Sequence, residues 1–339
     1  MIRTSTPARA AVAARIATAF SFSAAAAGSL HGERHVRAYR VKASVNLAHY
    51  ADAHAVALGA SGAIAGDAEL NGSRRCLLAS GGVLVDITPA GATECSVTAM
   101  SPNGTVAGRL GSGTKTQGFI YRAGRGYVIG DVASFSAVNS ASLLLAVKQD
   151  GSHGVYDAQN GTWPVFADAG RGCAIDEPLA LNDHYVFGTV KCSDGSANYG
   201  FADSGHFERI SLPPGPLPTS ILTGADQLVL SDPVSGGHAY LFSLRGSHQA
   251  VDLGEALGDL YGTYTPVAAN AQGVVVGQNL PQFFPWVRSP SDGMRDLGAI
   301  IPVTYFGVSV AGLDEAGDVL VQAFDFNTGD QVWVVLQPV

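Results

Sequence analysis

The chain reads as an all-β protein, a seven-bladed β-propeller closed by an N-terminal strand that completes the last blade. Three observations predict this. A ten-residue signature recurs seven times at a nearly constant period. The apolar runs are short and are bounded by glycine, Asn and Asp, as strands and their turns are. The last repeat is one strand short, and an orphan segment near the N-terminus matches the missing strand.

The signature is a small or apolar pair, a turn-forming triplet, a glycine, and an apolar run that ends in glycine. It reads ALGASGAIAG from Ala57, AMSPNGTVAG from Ala99, AVNSASLLLA from Ala137 and ALNDHYVFG from Ala180. LTGADQLVLS from Leu222, AANAQGVVVG from Ala268 and GLDEAGDVLV from Gly312 complete the set. The starts are 42, 38, 43, 42, 46 and 44 residues apart, the period of four-stranded propeller blades.

Within each repeat the leading pair ends one strand (a), the Asn/Asp/Gly-rich triplet turns the chain, and the run after it is strand b. A third strand (c) is rich in aromatic and β-branched residues, as in Gly118-Phe-Ile-Tyr-Arg, His238-Ala-Tyr-Leu-Phe and Phe284-Pro-Trp-Val-Arg. A fourth (d) follows a Gly/Ser turn, as in Val83-Leu-Val-Asp-Ile, Tyr127-Val-Ile-Gly-Asp-Val and Met294-Arg-Asp-Leu-Gly. A lone four-stranded sheet buries little apolar surface, so the sheets must pack face to face in a ring. The seventh repeat stops after its third strand, Val332-Trp-Val-Val-Leu, while Val45-Asn46-Leu47 stands where Val251-Asp252-Leu253 stands in the fifth. Pairing these ends closes the ring and removes an exposed sheet edge.

The pattern of a small apolar pair, Asn-x-x-Gly, Val-Val-Gly, an aromatic strand and Asp-Leu-Gly resembles the HAF-type repeats of bacterial extracellular proteins. The resemblance runs over residues 39–339 and is clearest from Ala268 to Gly298 and from Ala99 to Val132. It implies a propeller and export from the cytoplasm, and it carries no catalytic residues.

Composition agrees with a folded, exported chain. Apolar residues make up 47% and charged residues 14%, with 42 glycines, too apolar for disorder and rich in tight turns. A formal charge of −8 argues against nucleic acid or an anionic membrane as partner. Residues 1–32 hold Arg3, Arg9 and Arg15, no acid, and the apolar stretch IATAFSFSAAAA ending in small residues. That is the layout of a signal peptide, too short to span a bilayer, and a transit peptide shares part of it. The expected organisation is a signal peptide over 1–32 and one propeller domain over 33–339, a monomer, secreted or periplasmic, with no membrane span. Cys76 and Cys95 are nineteen residues apart, as are Cys173 and Cys192. Without a C-x-x-C spacing, zinc is disfavoured and two local disulfides are expected.

No catalytic, metal or cofactor motif stands above the repeat. Asp86, Asp131, Asp252 and Asp296, with Asn46, recur at the end of strand d and are assigned to strand-end hydrogen bonds. Asn139, Asn182, Asn270 and Asp314 are assigned to hairpin turns. What does not repeat is a set of aromatics on the d–a and b–c connections of the last three repeats: Tyr261, Tyr264, Phe283, Phe284, Tyr305 and Phe306, followed by Phe324 and Phe326. Exposed rings of this kind stack on sugars or anchor a protein partner. The expected function is therefore binding of an extracellular glycan or protein without a cofactor. The alternatives are a polysaccharide hydrolase or lyase, drawing on the unrepeated Asp176, Glu177, Glu255 and Asp259, and a structural envelope or matrix module.

Overall fold

The structure, a computed structural model, describes residues 39–112, 115–168, 172–195, 197–203, 206–210, 220–232, 238–244, 250–253, 263–280 and 284–339. The segment expected to be a signal peptide lies outside them. The strands form seven antiparallel sheets. The first blade shows the pattern: Ala51–Leu58, Ile64–Leu70, Ser73–Ser80 and Val83–Asp86, hydrogen-bonded in chain order.

The seventh blade closes the ring. Its own strands Tyr305–Leu313, Val319–Asp325 and Gln331–Pro338 are joined by Tyr39–Asn46 at the outer edge. Val45 pairs with Trp333 and Tyr39 with Pro338, the pairing read from the two chain ends. Beyond the ladder, Lys42 forms an ion pair with the buried Asp318, and the Leu47 amide donates to the Gln331 carbonyl at 3.0 Å.

The core is distributed as clusters between neighbouring blades. Trp333, Leu320 and Val335 of the seventh blade pack on Ile64, Leu77 and Ala79 of the first. Val319 and Val321, on the other face of the same strand, pack toward Val276 and Val287 of the sixth. A b strand is thus covered on both faces, which is why it reads as an unbroken apolar run rather than an alternation.

The glycine that ends the signature has a packing cause. The inner strands of six blades carry a bulge, between Ala55 and Ala57 in the first and at the same place in every other but the fifth, whose Ser220–Leu222 pairs in unbroken register. The bulge turns a carbonyl into the neighbouring b strand. A Cβ on Gly66 would lie 2.3 Å from the His54 carbonyl oxygen and 2.6 Å from the Trp333 ring. The corresponding positions Gly108, Gly188 and Gly277 meet the carbonyls of Ser96, Glu177 and Thr265 at 2.2–2.3 Å.

Two readings of the sequence need correction. The third blade has three strands, Val132–Val138, Leu143–Lys148 and His153–Asp157, and the fourth has five. A bridge between Asp157 and Thr162 starts the missing strand, but continuing that ladder brings Pro164 opposite Val155, and proline has no N–H to give. The chain leaves the third blade, and Ala167–Asp168 pairs instead with Cys173–Leu181 of the fourth. In the fifth repeat the signature begins one residue earlier than the sequence suggested. The Thr223 amide donates to the Gln227 carbonyl, as Asn139 does to Leu143 and Asn270 to Val274, so Thr223 holds the turn position and Ile221 opens the motif.

Candidate functional site

The two faces of the ring differ in chemistry. On one face the seven a–b turns surround the axis and enclose a cavity of about 250 Å3, lined by residues of all seven blades, among them Leu58, Met100, Asn139, Asn182, Thr223, Ala269 and Asp314. A belt of hydrogen bonds ties these turns together. The side-chain amides of Asn139, Asn182 and Asn270 donate to the main-chain carbonyls of Asn182, Thr223 and Asp314, each at the same position of the next blade, at 2.9, 2.6 and 3.1 Å. Their oxygens meanwhile accept the amides of Leu143, Tyr185 and Val274 within their own turns. These residues are consumed by structure, as their regular recurrence implies. The strand-d residues behave alike: Asp86, Asp296 and Asn46 accept the amides of Thr88, Gly298 and Ala48 at 2.7–2.8 Å.

The opposite face carries the d–a and b–c connections and the aromatic set. Phe306 is the second residue of the inner strand of the seventh blade and pairs with Phe324, the last residue but one of the adjacent strand. Their rings stack with centroids 5.4 Å apart, and Phe326 meets Phe306 edge-on at 6.2 Å. Phe306 remains 42% exposed and Phe326 73%. Phe284, where the c strand of the sixth blade begins, is 49% exposed. Tyr305 is half-buried; burial, with the charge of Asp325 adding, holds its phenol above the ordinary tyrosine value.

Tyr264 leaves the expected set. It is 5% exposed, its ring lies edge-to-face with Trp286 at 6.2 Å, and it belongs to the core between the fifth and sixth blades. It sits one residue into strand Thr263–Ala269, and the ladder carries its side chain inward. Tyr261 and Phe283 lie outside the described residues, as do Glu255 and Asp259. Asp176 is exposed, and Glu177 pairs with His153 at 3.1 Å. Among the described residues no three His, Cys, Asp or Glu side chains stand together so as to hold a metal ion.

One group on this face escaped the sequence reading. Arg74 bridges Asp52 and the buried Asp67, with His54 3.2 Å from Arg74 and from Asp52. The second Asp67 oxygen accepts the Val97 amide of the next blade at 3.0 Å. Burial pushes the Asp67 carboxyl above its ordinary value, against the pull of Arg74. The seventh blade makes the same inter-blade bond with an uncharged residue: Gln322 accepts the Ala55 amide at 3.0 Å. Asp67 is thus a joint between blades. A polar residue interrupting the apolar run after Ile64-Ala-Gly was the available sign.

Both disulfides form. Cys76–Cys95 ties the third strand of the first blade to the inner strand of the second, and Cys173–Cys192 ties two adjacent strands of the fourth. No described helix is long and apolar enough to cross a membrane.

These features define a seven-bladed β-propeller, an architecture that commonly serves as a binding scaffold. No family model matches the chain, and no curated protein does. Among solved structures it is similar to a chain of the mitotic checkpoint complex, at 12% identity and a TM-score of 0.51, covering 93% of this chain and 98% of that one. It is equally similar to virginiamycin B lyase from Staphylococcus aureus, at 10% identity and a TM-score of 0.51, covering 89% and 100%. A third is the propeller domain of Cps50 (Swd1) from Myceliophteria thermophila, at 10% identity and a TM-score of 0.50, covering 88% and 99%. At such identities the likeness concerns the fold alone.

Proposed function

We propose that the protein is an exported binding module that holds an extracellular ligand, a glycan or another protein, on the rigid face of its last blades and uses no cofactor. The observation that carries this reading is the group of Phe306, Phe324 and Phe326. Phe306 contacts both of the other rings, yet it stays 42% exposed and Phe326 73%. Large apolar rings held rigidly at a surface lose little entropy on contact and suit both sugar faces and apolar protein anchors. Phe284 belongs to the same face. Tyr305 stands beside Phe306, and Tyr261 and Phe283 are assigned to the same surface from their places in the sequence. Export is supported by the two disulfides, which persist in oxidising compartments, by the basic and apolar run of residues 1–32, and by the resemblance to HAF-type extracellular repeats.

The test is a glycan array together with a crosslinking screen against extracellular proteins, run on the protein from residue 33 onward. Phe306→Ala and Phe326→Ala should each weaken the interaction found by about tenfold or more, the cost of a truncated aromatic anchor. Unchanged binding by both variants would end the proposal. Recovery of ligand in the glycan arm or the protein arm assigns its class.

A further inference from the structure

Between the sixth and seventh blades, on the face of the a–b turns, lies a crevice of about 90 Å3. Its walls are Val274, Val287 and Ile300 on one side and Tyr39, Gly317 and Pro338 on the other. Arg295, from the outer strand Gly293–Asp296, pairs across the ladder with Val287 and so lines the same crevice. Its Nε–H is buried and has no hydrogen-bond partner, and among the described residues its guanidinium makes no hydrogen bond or ion pair. Arg74 has Asp67 and Asp52, Arg122 lies over the Tyr127 ring, and Arg288, on the neighbouring strand, donates to the Gly273 carbonyl at 3.3 Å. Arg75 shares a buried Nε–H without a partner, but only Arg295 of the two lines the crevice. A partly buried cation without an acceptor is costly and calls for one.

We infer that this crevice is a binding site for the carboxylate of a small hydroxy- or amino-bearing acid, which Arg295 grips through the terminal N–H groups of its guanidinium. A guanidinium presents a planar fork that matches two carboxylate oxygens. The crevice mouth has the opposite character. Glu315, Gln272, Ser289 and Asp292 line it there. One Glu315 oxygen is taken by the Ala271 amide at 2.9 Å and one Asp292 oxygen by the Ser289 and Ser291 hydroxyls at 2.8 and 2.9 Å, which leaves the second Glu315 oxygen and the Gln272 side chain as acceptors. An anion inside and donors outside describe an amino acid or a sugar acid better than a simple anion, since bare phosphate or sulfate would meet the two carboxylates. The site is on the face opposite the phenylalanine group and stands or falls independently of it.

The test is calorimetric titration and thermal melting of the disulfide-bonded protein with glycine, sodium glucuronate, sodium acetate, and sodium chloride at matched ionic strength. Glycine or glucuronate should bind and raise the melting temperature, acetate less so, chloride not at all. Arg295→Gln should weaken that binding by about tenfold or more, because it takes away a charge-assisted hydrogen bond to the carboxylate, while Arg288→Gln leaves it unchanged. The ligand-free Arg295→Met protein should be at least as stable as the parent, because a buried N–H without a partner has been removed. A response to glycine shows the amino acid as source, a response to glucuronate the sugar acid. No response to any carboxylate beyond that to chloride, binding that survives in Arg295→Gln, or a clear loss of stability in ligand-free Arg295→Met would each overturn the assignment.

Discussion

Asn139, in the a–b turn of the third blade, gives its side-chain amide to the main-chain carbonyl of Asn182, the residue one repeat further on, at 2.9 Å. Its oxygen accepts the Leu143 amide, also at 2.9 Å. One side chain therefore closes its own hairpin and fastens it to the next blade. Asn139→Ala removes both bonds and leaves a buried amide unpaired, so urea unfolding should show a loss of about 2–3 kcal/mol. Asn139→Asp keeps the acceptor and loses the donor, and should fall between. Equal stability of Asn139→Ala and the parent would remove the belt from the account of what holds the ring.

The closing strand depends on a cation. Lys42 pairs with Asp318, whose side chain is 1% exposed, while Lys42 itself is 42% exposed. Removing one partner of a fully buried pair costs about 3–5 kcal/mol, and the exposure of Lys42 lowers the figure for Lys42→Met to about 1–2 kcal/mol. The hydrogen bond to Asp318 raises Lys42 above the ordinary lysine value. A raised lysine contributes its stability in full below the unfolded value and loses it as pH climbs through the folded one. The gap between parent and variant should therefore hold from neutral pH upward and close only in alkali, and a gap that closes in mild acid instead would contradict the pairing.

The ring and its closure were legible because they repeat. Seven copies of one turn announce seven sheets, and Val45-Asn46-Leu47 could be matched to Val251-Asp252-Leu253 without coordinates. What escaped was set by single residues. Pro164 denies the third blade its fourth strand through one absent N–H, a consequence visible only once Thr162 is known to face Asp157. In the fifth repeat Thr223 replaces Asn at the turn and obscured the register by one residue. The candidate site divided in the same way: Phe306 and Phe326 were found as loop aromatics, but Tyr264, one residue inside its strand, could not be told from them by type. The partnerless Arg295 has no sign in the sequence, because want of a partner is a property of three dimensions.

Gly66 tests the cause given for the signature glycine. An added Cβ would meet the His54 carbonyl at 2.3 Å, backbone that cannot move without opening the bulge. Gly66→Ala should therefore cost about 3 kcal/mol or more, or prevent folding. Gly62 is the control, with φ of +76° and nothing within 4 Å of its Cβ position. Gly62→Ala should cost only about 1 kcal/mol of backbone strain. Equal costs at the two positions would show that the close approach is not what the glycine serves.

The disulfides join residues with the same sequence separation, 19, but different places, one between blades and one within a blade. Under the chain-entropy model each contributes about 3 kcal/mol. Peptide mapping without reductant should recover the 76–95 and 173–192 fragments. The paired variants Cys76→Ala/Cys95→Ala and Cys173→Ala/Cys192→Ala should each lose a similar amount, and reductant should further destabilise each by removing the remaining bond. A reductant-insensitive parent would argue that neither bond holds the blades.

Tyr264 and Phe326 separate core from surface among the aromatics read together in the sequence. Tyr264 is 5% exposed against Trp286 and Phe326 is 73% exposed. Truncating a buried aromatic leaves a cavity, so Tyr264→Ala should lose about 3–5 kcal/mol, while Phe326→Ala should stay within about 0.5 kcal/mol of the parent. The two variants should exchange places when ligand binding is measured: Phe326→Ala folds normally and binds poorly, and Tyr264→Ala binds in proportion to the fraction that remains folded. If Phe326→Ala proves as destabilising as Tyr264→Ala, the phenylalanine group caps the seventh blade and is not a surface kept open for a ligand.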